Sequence, residues 1–394
     1  GGGDRHVLEL LRQPLLDLLG RRLMRIGVDY TAAVRQGAGI GRYTRELVGA
    51  LLALDSPHDY VLFAASGGLD SQPDDLDLGR RAHLRTVPLS DEWLARLWHR
   101  ARLPIPVELV TGRVDLFYSP DFVLPPTLPG ARTVLTVHDL SFLHYPDHFV
   151  PKLVRYLSRV VPRSVARADR VLADSEATRA DLIRLMDVAP EKVTVLYSGV
   201  DPRFRPLPEP GERERLTAQY GIGPRPYVLS VGTLQPRKNY LHLIRAFSQL
   251  SGDVELVIAG GRGWLYEEVL AEAERRERVQ VLGFVPDADL PALYRGAALF
   301  AFPSFYEGFG LPVLEAMACG VPVVCSNVSS LPEIAGQAAL LVDPHDEVAL
   351  AEAVYRGLTD EDLRKELVTQ GLERADGFTW ERAARQLLGV LDAL

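Results

Sequence analysis

From Arg25 onward, apolar residues fall into two alternating patterns along the chain. Short runs rich in Val, Ile, Leu and Phe are bounded by Gly, Pro, Asp or Ser. Between them lie longer stretches whose apolar positions recur every three or four residues. The first pattern reads as a buried strand and the second as an amphipathic helix. In the first half, strands are predicted at 25–29, 60–64, 116–119, 133–137, 170–173 and 193–197, with helices at 41–54, 151–168 and 176–186. Ser175 stands where an N-cap hydroxyl belongs. Strand–helix alternation of this kind builds a parallel sheet covered on both faces.

The pattern breaks between Asp201 and Pro226, where Pro202, Pro206, Pro208, Pro210, Pro224 and Pro226 flank a charged helical piece. Such proline density reads as a linker, at 201–226. Beyond it, strands are predicted at 227–231, 254–259, 279–282, 299–302, 321–325 and 339–342. Helices between them begin near Tyr240, Trp264, Asp287, Leu311, Ser330 and Asp346. The fold class is α/β: two Rossmann-like domains, 24–200 and 227–378, facing across a cleft. An amphipathic helix at 379–394 is placed to cross back to the first domain. Ligands of such sheets bind beyond the carboxyl ends of the strands, so the cleft is the expected site.

Composition narrows the class. Hydrophobic residues at 47% and charged residues at 24% of 394 are soluble-globular values, and the net charge of −8 argues against nucleic acid as a partner. Cys319 and Cys325 form neither a disulfide framework nor a paired metal motif, and read as buried thiols of a reducing compartment. No apolar run reaches the roughly 18 residues of a membrane span, and no secretory signal is visible, so the default localisation is cytoplasmic. Residues 1–23 stand apart: Gly1 to Gly3 look like a cloning remnant, and a leucine-rich stretch interrupted by Pro14 follows. It reads as upstream sequence, as a helix packed on the body, or as an interfacial membrane helix.

Candidate chemistry concentrates in Glu307-Gly-Phe-Gly-Leu-Pro-Val-Leu-Glu315. Two carboxylates flank a turn that opens a helix. Pro312 suits the start of that helix, and Gly308 and Gly310 let backbone N–H groups approach a ligand. Bare amides at a helix N-terminus attract an anion, and Glu315, in the first turn, can accept hydrogen bonds from two hydroxyls. A diol beside a phosphate describes a nucleotide ribose; an ordinary acidic helix start is the competing reading. A second cluster, Val231-Gly-Thr-Leu-Gln-Pro-Arg237-Lys238-Asn239, follows a strand. It places two cations on the cleft side, where a diphosphate can be held, just before a helix capped by Asn239.

Together these motifs resemble the retaining nucleotide-sugar glycosyltransferases of the two-domain GT-B type, in the branch with an E-x7-E signature, family 4. The resemblance spans nearly all of 24–394. It rests on Gly37-Ala-Gly39-Ile-Gly41-Arg-Tyr-Thr, Thr136-Val-His138-Asp139-Leu, Ala173-Asp-Ser175-Glu-Ala-Thr178, Ser198-Gly-Val-Asp201, Arg237-Lys238-Asn239, Gly283-Phe-Val-Pro-Asp287, Pro303-Ser304 and Glu307 to Glu315. It implies ribose binding by Glu315 and a donor-sugar contact by Glu307. Backbone N–H groups of Phe309, Gly310 and Leu311 would meet the diphosphate and sugar, and Arg237 and Lys238 would neutralise the leaving diphosphate. Phe284 and Val285 lie where relatives hold the base. Gly39 and Gly41 match the loop that approaches the phosphates, and His138 the histidine near the transferred sugar. After Gly232 this chain has Thr233 where many relatives have Arg, which leaves the phosphate charge to Arg237 and Lys238.

No metal is expected. Of the D-x-D candidates, Asp75-Leu-Asp77 lies in a polar loop and Asp287-Ala-Asp289 reads as a helix cap. His144 and His148 are separated by Pro146, which speaks against a zinc site. The expected function is metal-independent, retaining transfer of a hexose from a nucleotide diphosphate sugar to a hydroxyl acceptor, glycan or lipid-linked, without a cofactor. The 138–142 and 231–239 runs look most like bacterial α-mannosyltransferases of surface-polysaccharide assembly, which implies GDP-mannose as donor. A nucleotide-sugar epimerase, a phosphorylase and a catalytically silent sugar-nucleotide-binding protein are the alternatives. Residues 89–103, with Trp93, Trp98, Arg96, Arg100 and Arg102, read either as a peripheral contact with a lipid-linked acceptor or anionic membrane, or as a partly buried amphipathic helix. The sequence carries no signal for oligomeric state.

Overall fold

The computed structural model describes residues 23–37, 39–69 and 81–394. The expectations for 1–22 and for Asp75-Leu-Asp77 lie outside these residues.

The first domain is a seven-stranded parallel sheet: β1 (Arg25–Asp29), β2 (Asp59–Ala65), β3 (Ala82–Val87), β4 (Leu116–Ser119), β5 (Arg132–Val137), β6 (Arg170–Ala173) and β7 (Val193–Val195), in the order 3-2-1-4-5-6-7. The second is a six-stranded parallel sheet: β8 (Tyr227–Val231), β9 (Glu255–Ala259), β10 (Val279–Gly283), β11 (Leu299–Phe302), β12 (Val323–Ser326) and β13 (Ala339–Val342), in the order 10-9-8-11-12-13. Central strands such as β4 and β11 are buried along their whole length, which is why they read as unbroken apolar runs. Strand β3 escapes the sequence pattern because it is an edge strand, with only Ala82 buried and His83, Arg85 and Thr86 exposed. The helix Glu361–Asp376 was also not expected; its burial is limited to Leu367, Gly371 and Ala375.

Both sheets reverse direction of growth once, between β1 and β4 and between β8 and β11. At such a reversal the following segments leave towards opposite faces and open a crevice at the strands' carboxyl ends. The second domain's crevice brings the loop after β8 against the loop after β11.

The chain crosses between the domains twice. After the second domain, the helix Trp380–Asp392, capped by the Thr379 hydroxyl, returns to the first. Its Leu387 and Leu391 are fully buried in one cluster with Leu47 and Leu51 of the helix Ile40–Ala53. Truncating such a leucine to alanine costs about 2–5 kcal/mol. His58, also buried, ties the far end down through a 2.7 Å contact with Asp392.

Candidate active site

At the β8/β11 crevice a short helical turn, Pro236–Lys238, sets Arg237 and Lys238 beneath the loop that carries Glu307. Lys238 Nζ lies 2.7 Å from Glu307 Oε1, and Arg237 Nη1 lies 3.0 Å from Oε2. The two loops are stitched together by backbone as well. Phe305 N–H donates to the Arg237 carbonyl at 2.9 Å, and Arg237 donates to the Tyr306 carbonyl. Asn239, expected to cap the next helix, instead sits in a left-handed conformation and donates to the carbonyls of Pro303 and Pro344 at 2.9 and 2.7 Å. Its side chain is a cross-loop tie rather than a cap.

Glu307 is buried, which by itself raises a carboxyl pKa. Arg237 and Lys238 overcome this and bring it down to about 2. Burial lowers Lys238, although Glu307 opposes the shift. Two cations around one carboxylate leave a net positive wall. Beside it the helix Leu311–Ala318 begins at Gly310, whose φ of 110° suits glycine. The Ser330 hydroxyl lies 2.9 and 2.8 Å from the carbonyls of Glu307 and Phe309, and the Ser329 hydroxyl accepts the Glu307 N–H at 2.9 Å. A helix N-terminus, two cations and a fixed loop form a preorganised anion site.

Glu315 lies one turn deeper than expected, in the second turn of its helix, and both its oxygens are taken by protein. Tyr294 O–H donates to Oε2 at 2.8 Å, and Arg42 Nη2 from the first domain lies 2.6 Å from Oε1. Asp287 does not cap the following helix, whose N-cap position is Asp289. It faces the first domain, 3.9 Å from Arg42 and 3.7 Å from Arg45.

The first domain contributes His138, just past β5. Its Nδ1 lies 2.7 Å from Asp174 Oδ2 and its Nε2 lies 3.0 Å from the Pro120 carbonyl. Burial alone would lower its pKa, but Asp174, helped by Asp121, raises it to about 9. The ring is therefore a cation with both nitrogens engaged. Here the domains almost touch. A Cβ on Gly308 would stand 2.0 Å from the His138 carbonyl oxygen, so only glycine permits this closure. Thr178 O–H, 3.1 Å from the same carbonyl and 3.4 Å from that of Gly308, bridges the gap.

The cleft encloses about 430 Å³. Of the residues singled out from sequence, His138, Arg237, Lys238, Glu307, Gly39, Gly232, Thr233, Phe284, Val285, Phe309, Gly310 and Leu311 line it. Gly41 and Glu315 do not. Gly41 faces its own preceding turn, where a Cβ would lie 2.1 Å from the Gln36 carbonyl oxygen; Glu315 is sealed behind Arg42. Sequence reasoning gave no role to Arg42, Asp174 or Tyr294. The first two belong to the quoted Gly37–Thr44 and Ala173–Thr178 motifs, whereas Tyr294 sits in a helix with no local signal. A larger hollow of about 850 Å³ lies behind the hinge, lined by Tyr197, Gln370, Arg374 and Arg382, and holds no part of the Arg237–Lys238–Glu307 cluster. Among the described residues, no three His, Cys, Asp or Glu gather in a metal-binding group, and no helix is long and apolar enough to cross a membrane.

Comparison with known proteins gives the family and several relatives. Residues 37–204 match the family described as Glycosyltransferase Family 4, and residues 212–374 match Glycosyl transferases group 1. The O-antigen chain mannosyltransferase B of Escherichia coli is 35% identical over 372 residues, covering 90% of this chain and 96% of that protein. The alpha-maltose-1-phosphate synthase of Mycolicibacterium smegmatis is 30% identical over 99% of this chain and 95% of its own. Among solved structures, a sucrose-phosphate synthase from Thermosynechococcus elongatus superposes with a TM-score of 0.74 at 22% identity, over 94% of this chain and 98% of that one. Anabaena HepE in complex with UDP and glucose gives 0.70 at 22% identity, over 95% and 100%.

Proposed function

Because the chain belongs to the family 4 glycosyltransferases, GT-B enzymes that use a nucleotide-sugar donor and a glycan acceptor, we propose that it is a retaining mannosyltransferase using GDP-mannose in surface-polysaccharide synthesis. The observation that carries the reading is the Arg237–Lys238–Glu307 cluster beside the helix start at Leu311. Cleaving a sugar–diphosphate bond develops negative charge on the leaving oxygen, and this wall meets it with two cations and backbone amides already in place. No divalent ion is needed for that charge, so transfer proceeds without a metal.

Support for retention comes from what the cleft offers. Inversion requires a base on the face opposite the leaving group. His138 is protonated and held at both nitrogens, and Glu307 is committed to two cations. Asp139, a further candidate base in the cleft, spends Oδ1 on the N–H and O–H of Ser141 at 2.9 and 2.6 Å. In this reading the departing phosphate takes the acceptor's proton on the same face, and His138 positions the sugar. Glu315 binds the ribose, and Phe284, 59% exposed at the rim, offers a face on which the base stacks. Mannose is favoured by the 35% identical relative named for it. The acceptor is a glycan or lipid-linked hydroxyl.

Assay against GDP-mannose, UDP-glucose and related donors with excess EDTA, followed by proton NMR of the new linkage, tests these points together. The expected product is α-linked mannose, formed despite the chelator. A β-linked product from the α-configured donor would sink the mechanism, and loss of activity restored by magnesium would sink metal independence.

A further inference from the structure

The Arg42–Glu315 pair joins the two domains at the nucleoside end of the cleft. Glu315 has a side chain only 3% exposed, with one oxygen held by Tyr294 and the other by Arg42. Glu315 does not line the cavity, and with Tyr294 and Arg42 packed on it a ribose diol meets this carboxylate only if one of them moves aside. Tyr294 is fully buried and belongs to the same domain as Glu315. Arg42 comes from across the cleft and lines the cavity. We propose that Arg42 holds the place on Glu315 that the donor's ribose takes, so that donor entry is an exchange of one for the other. The inference rests on Glu315 as the ribose-binding carboxylate.

The displaced guanidinium has a destination. Asp287 lies 3.9 Å from Arg42 Nη1, and its side chain is 27% exposed. Arg45, the other cation near Asp287, is anchored to the carbonyls of Ala33, Gln36 and Gly37 at 2.8, 2.7 and 3.2 Å. Asp287 is therefore only partly compensated and can receive Arg42 after the swap. A pair with this more exposed carboxylate is weaker than the one given up, so the exchange opposes donor binding while keeping the cleft bridged. The loop before the helix that carries Arg42 roofs the base platform: a Cβ on Gly37 would lie 3.5 Å from the Phe284 ring.

The test uses calorimetry of the intact protein with GDP, UDP and ADP and their nucleosides, and X-ray scattering without nucleotide. Removing a competitor raises the competent fraction, so Arg42→Ala is expected to tighten binding of the preferred nucleoside at least about threefold. It is also expected to open the donor-free molecule, seen as a larger radius of gyration. Arg42→Lys, which keeps a cation facing Glu315, should stay within about twofold of the parent and reports that the fold survives. Weakened or unchanged nucleoside binding in Arg42→Ala overturns the exchange, as does an unchanged radius of gyration. Glu315→Gln separates the two levels. If it leaves nucleotide binding intact, the ribose assignment itself falls and the exchange with it. If it weakens binding while Arg42→Ala fails to tighten it, only the exchange falls.

Discussion

Glu307 and Glu315 stand at the two ends of one nine-residue segment, both buried and both neutralised by an arginine, yet the cations come from opposite sides of the cleft. Glu307 is met by Arg237 and Lys238 of its own domain, through loops fastened by backbone hydrogen bonds and by Asn239. Glu315 is met by Arg42 of the other domain. The ion pairing of one glutamate is thus complete within a single domain, and that of the other is complete only when the two domains meet. The end that must stabilise developing charge is the fixed one, which fits the rule that preorganised charges serve a transition state best. The pair at Glu315, the carboxylate we propose for the ribose, is the one that spans the cleft.

Three measurements press on that contrast. The largest effect is expected at the fixed end. Lys238→Ala or Arg237→Ala should lower turnover about a hundredfold or more, with little change in affinity for the free nucleoside, because the lost charge acts on the departing diphosphate. An equal loss in nucleoside affinity would erase the division between the two ends.

Glu315→Gln keeps the shape of the side chain but weakens charge-assisted hydrogen bonds of about 1.5–3 kcal/mol. Donor affinity should fall roughly tenfold, with turnover at saturation changed much less. A turnover defect as large as that of Lys238→Ala would mean that both glutamates serve the same step.

The smallest effect at neutral pH concerns His138. Its pKa is raised, to about 9, so the pairing with Asp174 contributes fully below the ordinary 6.5 and fades as pH rises through 9. Glu307 is lowered, to about 2, so its pairing contributes fully above 4.5 and fades only as pH falls towards 2. Both of these pairings are intact across the neutral range, and the limb that belongs to His138 is alkaline. Asp174→Asn should move the midpoint of that limb from near 9 towards 6.5 and leave activity at pH 6 nearly unchanged. A pH profile identical to the parent's would remove His138 from the titration.

How much of this was legible in the sequence follows the same division. Strands β1, β4, β6, β8 and β11 could be read to the residue, because largely buried strands are written as apolar runs; the edge strand β13 could be read too, since Ala339–Val342 is apolar although only Val342 is buried. Strand β3 could not, since its exposed residues carry no such run. The fixed end of the cleft was also legible: Arg237, Lys238, Glu307 and Gly310 lie in short contiguous motifs whose spacing follows from a strand-end loop. At the other end Glu315 stood in the same motif, but its partner did not. Arg42 and Glu315 are 273 positions apart by their numbers, and nothing local to either announces the other. Asp287 looked like a helix cap because an acidic residue before an apolar stretch ordinarily is one. Only the approach of a second domain gives it arginines to face.

The helix Trp380–Asp392 has a consequence for how the protein is made. It fills the first domain's core against Leu47 and Leu51, yet it is translated after the whole second domain. During synthesis at about 5–20 residues per second, the stretch from β7 to this helix takes roughly ten to forty seconds. Throughout that interval the growing polypeptide carries an apolar face with nothing to cover it, a natural holding site for a chaperone. Pulse-labelled ribosome-bound chains halted once Val195 has cleared the exit tunnel should therefore remain protease-sensitive around residues 40–53, and chains halted only after Asp392 has cleared it should be protected there. Protection already present in the shorter chains would show that the first domain matures without waiting for its final helix.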